Sequence, residues 1–458
     1  MWPSQQTRTP LTGVDAAWLR MDVPTNPMVI TIALTFDEPI EFQRVHEMVT
    51  QRLLRFTRFA QRVTGTQSNT PCWEDDPSFS LEAHLHRIGL PGAGDDAALR
   101  EMLSALISMP LDPSRPLWQL YLVERYGEGC ALVLRVHHCL ADGVALVQVF
   151  NSLVDSAPTT ALAPVHTTRP AGLLDYAFDG LGTMIRSTDA LLTEGLKLFS
   201  NPERAINLLS GGVAVLSKLA LLGPDAPSIF KGPLSVTKRV AWSKPVPLAT
   251  VKAISRVLGG TVNDVILTAV AGALRRYLLA RGEPVSTHGV RAMVPVNLLP
   301  PGAKSDGGNH FGLVYVTLPL AVEDQVERMA QLHHEMAAIK ASPEAHISYS
   351  FVGMLGAMPV GIERTLVDAL CRMATLVVTN VPGPRKPNTL AGKPVRRVMF
   401  WVPEAAGIGM GVSIFSYAGG VQVGVLVDVT LIPDPEVISA AFDAEMADLI
   451  ALERAAAG

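Results

Sequence analysis

An apolar run, CALVLRV at residues 130–136, leads into His137-His138-Cys139-Leu140-Ala141-Asp142-Gly143, and a second apolar stretch follows. This junction constrains the chain more than any other. The first run is short and mostly apolar, which predicts a strand. Gly143 marks a turn, and the spacing from about Val144 to Val154 predicts a helix. Successive side chains of a strand point to opposite faces, so one of two adjacent histidines can face a cavity while its neighbour packs inward. A neutral imidazole near pH 7 is a suitable general base for a hydroxyl. Asp142, four residues beyond His138, stands where a carboxylate could hold the turn rather than touch substrate. The plainer alternative is a core histidine that closes a strand. A second pair, His333-His334 in LHHEMAAIK, lies on a helical pattern without a following Asp-Gly and reads as solvated surface.

Other chemistries find little support. Strand-adjacent histidines diverge, and no further Cys or His cluster completes a shell, so no metal is expected. The four cysteines (Cys72, Cys130, Cys139, Cys371) are scattered without CxxC spacing, which argues against a disulfide scaffold or zinc site and for a reducing, cytoplasmic compartment. There is no GxSxG elbow, no Walker A loop and no GxGxxG after a strand. Cys139 sits within the histidine motif as a filler. Direct acyl transfer with a histidine base is therefore preferred over a covalent acyl-enzyme.

The length of 458 residues suits two domains of similar size. Only 17% of residues are charged and 48% are apolar, which excludes a disordered chain and predicts a large core. A net charge of −4 gives no basic balance for nucleic acid. Residues 405–427 carry no charge, but Gly419-Gly420 lies between two alternating runs, which predicts a hairpin rather than a membrane span. Residues 205–217 are too short to span, and MWPSQQTRTP has no apolar signal-peptide core.

Periodicity places strands at 28–36, 118–124, 130–136, 290–296, 312–318 and 374–380. It places helices at 40–63, 95–109, 248–257, 263–281 and 322–340. Residues 156–172 read as a linker and 173–222 as amphipathic helices. The expected division is an N-terminal domain (1–160), a linker with crossover helices (161–235) and a C-terminal domain (236–458).

HHCLADG resembles the HHxxxDG motif of the condensation-domain and chloramphenicol-acetyltransferase-like superfamily. LTGVDAAWL near the start, PLDPSRPLW at 110–118, Asn263-Asp264, RAMVPVN at 291–297, GGNHFG at 307–312, TNVPGP at 379–384 and the final LIPDP follow in order. Together they resemble the bacterial bifunctional wax ester synthase/acyl-CoA:diacylglycerol acyltransferase family over nearly the whole chain. The resemblance implies an α/β fold of two chloramphenicol-acetyltransferase-like domains with mixed sheets and an active-site tunnel between them. It implies transfer of a long acyl chain from acyl-CoA to a fatty alcohol or diacylglycerol, with acyl-CoA as substrate and no cofactor. It also implies peripheral association with the inner membrane or lipid inclusions. His138 becomes the general base, His137 and Asp142 its supports, and Gly143 part of the substrate-binding turn. Arg58, Arg62 and Arg291 are candidate partners of Asp142.

Two readings stand for Asn263, a helix N-cap or a group that orients His138 or the thioester. Two stand for Thr379 and Asn380, oxyanion donors or turn chemistry before Pro382. Pro116 and Trp118 read as structural. MVIT at 28–31, Asn297, His310 and Asp428-Val429 depart from the family pattern and bear on acceptor preference. The apolar stretches 173–222 and 347–362 read as core, tunnel lining or lipid contact. The alternative functions are a condensation-type acyltransferase that uses a carrier-protein thioester, or an inactive lipid-droplet homologue.

Overall fold

Branched apolar residues fill VITIALTF (β1, Val29–Phe36) and GCALVLRVH (β4, Gly129–His137), and such residues suit a pleated, buried surface. In the computed structural model these strands pair antiparallel, Val29 opposite His137 and Phe36 opposite Cys130. The structure describes residues 8–66, 71–141, 143–155, 223–297, 311–342 and 360–457. The 156–172 linker, the 173–222 helices, Asp142, His310 and most of 347–362 lie outside them.

The first sheet has five strands. Besides β1 and β4 it contains β2 (Leu85–Gly89), β3 (Trp118–Tyr126) and β9 (Arg397–Trp401), in the order β9-β1-β4-β3-β2. Only β2 and β3 pair in parallel. The second sheet runs β7 (Phe311–Leu318), β6 (Val290–Asn297), β8 (Leu376–Pro382), β10 (Met410–Tyr417), β11 (Gly420–Asp428), β5 (Lys238–Trp242). The hairpin expected around Gly419-Gly420 is β10–β11, with Tyr417 opposite Gly420. Gly419 has φ 81°, the left-handed region that glycine enters without a Cβ penalty. Each half is thus a mixed sheet with helices against it. Sheet membership does not follow chain order, because β9 comes from the C-terminal part of the sequence and completes the first sheet.

Helix α1 (Gly13–Met21) starts at Thr12, whose side chain accepts from Asp15 N–H. Helix α2 (Phe42–Gln51) is shorter than the helix expected at 40–63. Past Arg52 the chain makes two 3₁₀ turns, and Gln61–Thr64 then pairs as a strand with Cys72–Asp75. Burial of Phe59 and Val63 beside Trp73 outweighs the helical spacing. The remaining helices are α3 (Asp96–Ile107), α4 (Gly143–Leu153), α5 (Leu248–Leu258), α6 (Val262–Ala280), α7 (Gln325–Lys340), α8 (Val360–Arg372) and α9 (Pro435–Ala457). No single helix among the described residues is long and apolar enough to cross a membrane.

Three apolar clusters hold these layers. One lies on the α4 face of the first sheet and takes in Val367, Cys371 and Val381 from the second half. A second lies around α6 and the second sheet. The third is a seam in which Ala131 and Val133 of β4 meet Val240 and Trp242 of β5 and Trp401 of β9. At this seam the hydroxyls of Ser104 in α3 and of Ser108 at its C-cap accept from Val240 and Lys238 N–H.

Candidate active site

The two histidines sit where β4 runs out, and neighbouring backbone pins each in place. His137 N–H donates to Leu117 O at 2.9 Å, and His138 N–H donates to Met28 O at 2.7 Å. Leu117 belongs to the PLW string. The adjoining Trp118 is fully buried and its Nε1–H donates to Phe59 O, so that string supports the strand end. Leu140 N–H then donates to His137 O, and Cys139 N–H donates to His137 Nδ1 at 3.1 Å. This closes the turn before α4.

Both rings are buried, and strand alternation sends them apart. His137 follows Val133 and Arg135 on the seam face, whereas His138 follows Leu132, Leu134 and Val136 on the α4 face. The His138 ring stacks on Trp18 of α1, with centroids 4.1 Å apart and planes at 20°. Burial pushes its pKa down from 6.5 to about 3; a backbone hydrogen bond opposes this and the neighbouring His137 adds to it. The imidazole is therefore neutral at pH 7. Cys139 is buried beside it, and burial, helped by Asp15 and Asp22, holds its thiol well above the usual value. A protonated thiol is a poor nucleophile.

Helix α1 and the loop after it supply groups that the motif strings do not reveal. Asp22 Oδ2 lies 3.4 Å from His137 Nε2, and its Oδ1 accepts Met28 N–H at 3.0 Å. Asn26 anchors the same loop by donating to Ala406 O and Ile408 O. Its side-chain oxygen accepts from Lys238 Nζ, which also reaches Asp428. The only sequence trace of Trp18 is its place in LTGVDAAWL.

The second half approaches at Gly143. A Cβ there would come within 3.0 Å of Val381 Cγ2 on β8, so glycine permits the close approach of α4 and β8. Val377, Thr379 and Val381 share one face of β8, and Thr379 is buried. Asn380 points the other way, and its amide donates to Asn263 Oδ1. The structure thus brings Asn263 and Asn380 together and sets Thr379 on the opposite face. Asn263 is not the N-cap of α6. That position is Thr261, in a capping box with Asp264. Buried Asp264 accepts from Thr261 N–H and from His333 Nδ1 at 2.7 Å. His333, expected to be solvated surface, keeps 45% of its side chain exposed but also ties α7 to α6, a contact that sequence spacing cannot reveal. Arg291 is held by Asp225, and Arg58 stacks over Trp73 and bonds Gln61.

Two apolar clefts run between α4 and the first sheet. One is lined by Ile32, Leu34, Leu132, Leu134, Leu146 and Phe150 among others. The other is lined by Gly143, Leu146, Val381, Phe400 and Phe415 among others. Both lie on the sheet face that carries His138, and the second reaches the start of α4. Neither is lined by His138 itself.

The profile of the wax ester synthase/diacylglycerol acyltransferase catalytic domain matches residues 11–266, more than half of the chain, and that of the WS/DGAT C-terminal domain matches residues 307–450. The chain belongs to this family. A putative diacylglycerol O-acyltransferase of Mycobacterium bovis is 30% identical over 455 residues, covering 97% of this chain and 96% of the relative. The wax ester synthase/diacylglycerol acyltransferase of Marinobacter aquaeolei superposes with a TM-score of 0.69 at 21% identity, covering 97% of this chain and all of that one. The starter condensation domain of rhizomide synthetase, solved with C8-CoA, has a TM-score of 0.54 at 13% identity, covering 98% of this chain and 95% of that one. Membership in the WS/DGAT family makes the protein an acyltransferase, and the neighbours bear out the two-sheet, condensation-domain type of fold.

Proposed function

We propose that the protein moves a long acyl chain from acyl-CoA to the hydroxyl of a fatty alcohol or diacylglycerol, giving a wax ester or triacylglycerol, with His138 as general base. One observation carries this reading. A neutral, stacked imidazole lies on the same sheet face as apolar clefts that reach Gly143. The alcohol oxygen attacks the thioester carbonyl while its proton passes to His138. The carbon–sulfur bond breaks, and the departing thiolate of CoA takes the proton from the imidazolium. Thr379, buried on the face of β8 that meets Gly143, is the preferred donor to the tetrahedral oxyanion. Asn263 and Asn380, bonded to each other on the opposite face, brace that strand. Asp142 supports the turn. The solved condensation domain with C8-CoA supports a CoA thioester as donor on this fold. The acceptors are membrane-soluble, so the protein would work at a lipid surface without spanning it.

Palmitoyl-CoA with hexadecanol or with dipalmitoylglycerol tests this directly, read as release of the CoA thiol. The wild-type protein should turn over with at least one acceptor, and His138→Ala should lose at least about 1,000-fold. Unchanged turnover in that variant would end the reading. Turnover with an acyl carrier protein but not with acyl-CoA would reassign the donor.

A further inference from the structure

One carboxylate, that of Asp22, is linked to the backbone on both sides of the His138 side chain. Its Oδ1 accepts Met28 N–H, and the carbonyl of Met28 accepts the N–H of His138. Its Oδ2 lies 3.4 Å from His137 Nε2. The other nitrogen of that ring, Nδ1, accepts Cys139 N–H. One route from Asp22 therefore ends at His138 and the other at Cys139.

The hydrogen-bond pattern assigns the His137 tautomer. Nδ1 accepts a backbone N–H and carries no proton, so in a neutral ring the proton sits on Nε2. Nε2 is buried and makes no hydrogen bond within the described residues, which leaves the carboxylate of Asp22 facing its N–H. Helix capping does not explain the acid. Asp22 is the C-cap of α1, with extended backbone, where the helix dipole disfavours negative charge. Its carboxylate instead accepts Met28 N–H and stands 3.4 Å from the ring nitrogen of His137 that carries the proton. The loop that bears it is fixed in turn by Asn26, which donates to Ala406 O and Ile408 O in the other half.

We infer that Asp22 is a positioning residue for the reaction: through the His137 ring and the Met28 backbone it fixes the turn that presents His138 to the acceptor hydroxyl. The inference rests on His138 being the base. Asp22→Asn isolates the claim. The amide keeps an acceptor for Met28 N–H but turns its NH₂ toward Nε2–H. Two donors then face each other, and the His137 ring must change tautomer and release Cys139 N–H.

Three measurements test it on the full-length protein: steady-state kinetics with palmitoyl-CoA and hexadecanol, thermal unfolding, and ¹⁵N NMR of histidine-labelled protein. The wild-type spectrum should show His137 protonated on Nε2, and the Asn variant should lose that signature. In Asp22→Asn, kcat should fall about 10- to 100-fold, the scale of a misplaced reacting group. KM for both substrates should stay within about twofold, the split expected when only the chemical step is disturbed. Unchanged kcat in this variant, with His138→Ala inactive, overturns the positioning role and spares the base assignment. A parallel loss in KM, or in folded stability alone, also overturns it. Activity in His138→Ala removes the base assignment instead and leaves the His137 tautomer to be read independently. Should Asp22→Asn fail to fold, the wild-type spectrum decides, and a ring protonated on Nδ1 sinks the inference.

Discussion

His138 lies flat against Trp18 with 7% of its surface exposed, and the loss of hydration brings its pKa to about 3. A base whose folded pKa lies below its usual 6.5 is unprotonated throughout the range above that lower value. Between pH 5 and 8 its titration should leave no acid limb in kcat/KM, and a limb centred near 6.5 would show a ring in contact with water. On the proposed mechanism the same dryness would make the imidazolium short-lived and pass its proton promptly to the leaving thiolate. The two histidines were legible because their signal is local, an apolar strand that ends in HH with a glycine turn five residues on. Trp18 and Asp22 were not. They precede His138 by more than a hundred positions, and only the packing of α1 on the strand end brings them there. Asn263 shows a subtler limit. Asn before an apolar helix reads as a cap, but Thr261 takes that place because its hydroxyl and the Asp264 carboxylate satisfy each other's N–H groups.

At the scale of elements, β4, the turn and α4 form one unit, and Leu146 of α4 lines both clefts. Leu146→Phe adds volume there and, on the proposal that the acyl chain enters between α4 and the first sheet, should reduce turnover of palmitoyl-CoA more than that of butyryl-CoA. Equal losses on the two substrates would place the acyl chain elsewhere. Most elements could be read from spacing alone, since β1, β4, β10 and β11 are apolar runs bounded by turn residues, α3 and α5 keep a helical apolar stripe, and α6 is a long apolar run buried on every side from Asp264 to Leu274. The failure at 40–63 has a physical cause. Arg58 stacks over Trp73 and Gln61 bonds Asp75, so that segment gains more from lying beside the Cys72–Asp75 strand than from helical hydrogen bonds. Likewise His333 lies on a helical pattern with a partly exposed side chain, yet it answers the buried carboxylate of Asp264.

The whole molecule fixes its site from both halves. Arg20 of α1 pairs with Glu363 of α8 at 2.8 Å, with 9% and 3% of the side chains exposed. Burial raises the Glu363 pKa against the pull of Arg20, so desolvation outweighs the attraction. Such a pair stabilises little by itself, but leaving one member alone is costly. Arg20→Met should lower unfolding free energy by about 3 kcal/mol in urea titration, and Arg20→Met/Glu363→Leu should recover most of the loss. A cost under about 1 kcal/mol for the single variant would mean that water reaches the pair. The swapped strand β9 has its own consequence for biogenesis. A nascent chain emerging from the ribosome cannot finish its first sheet until Arg397–Trp401 has been synthesised, and until then Val29–Phe36 is an open edge prone to pairing with other chains. The N-terminal half alone therefore lacks an edge strand of its own sheet, and genetic truncation at any point before that strand should yield inclusion bodies rather than a working fragment.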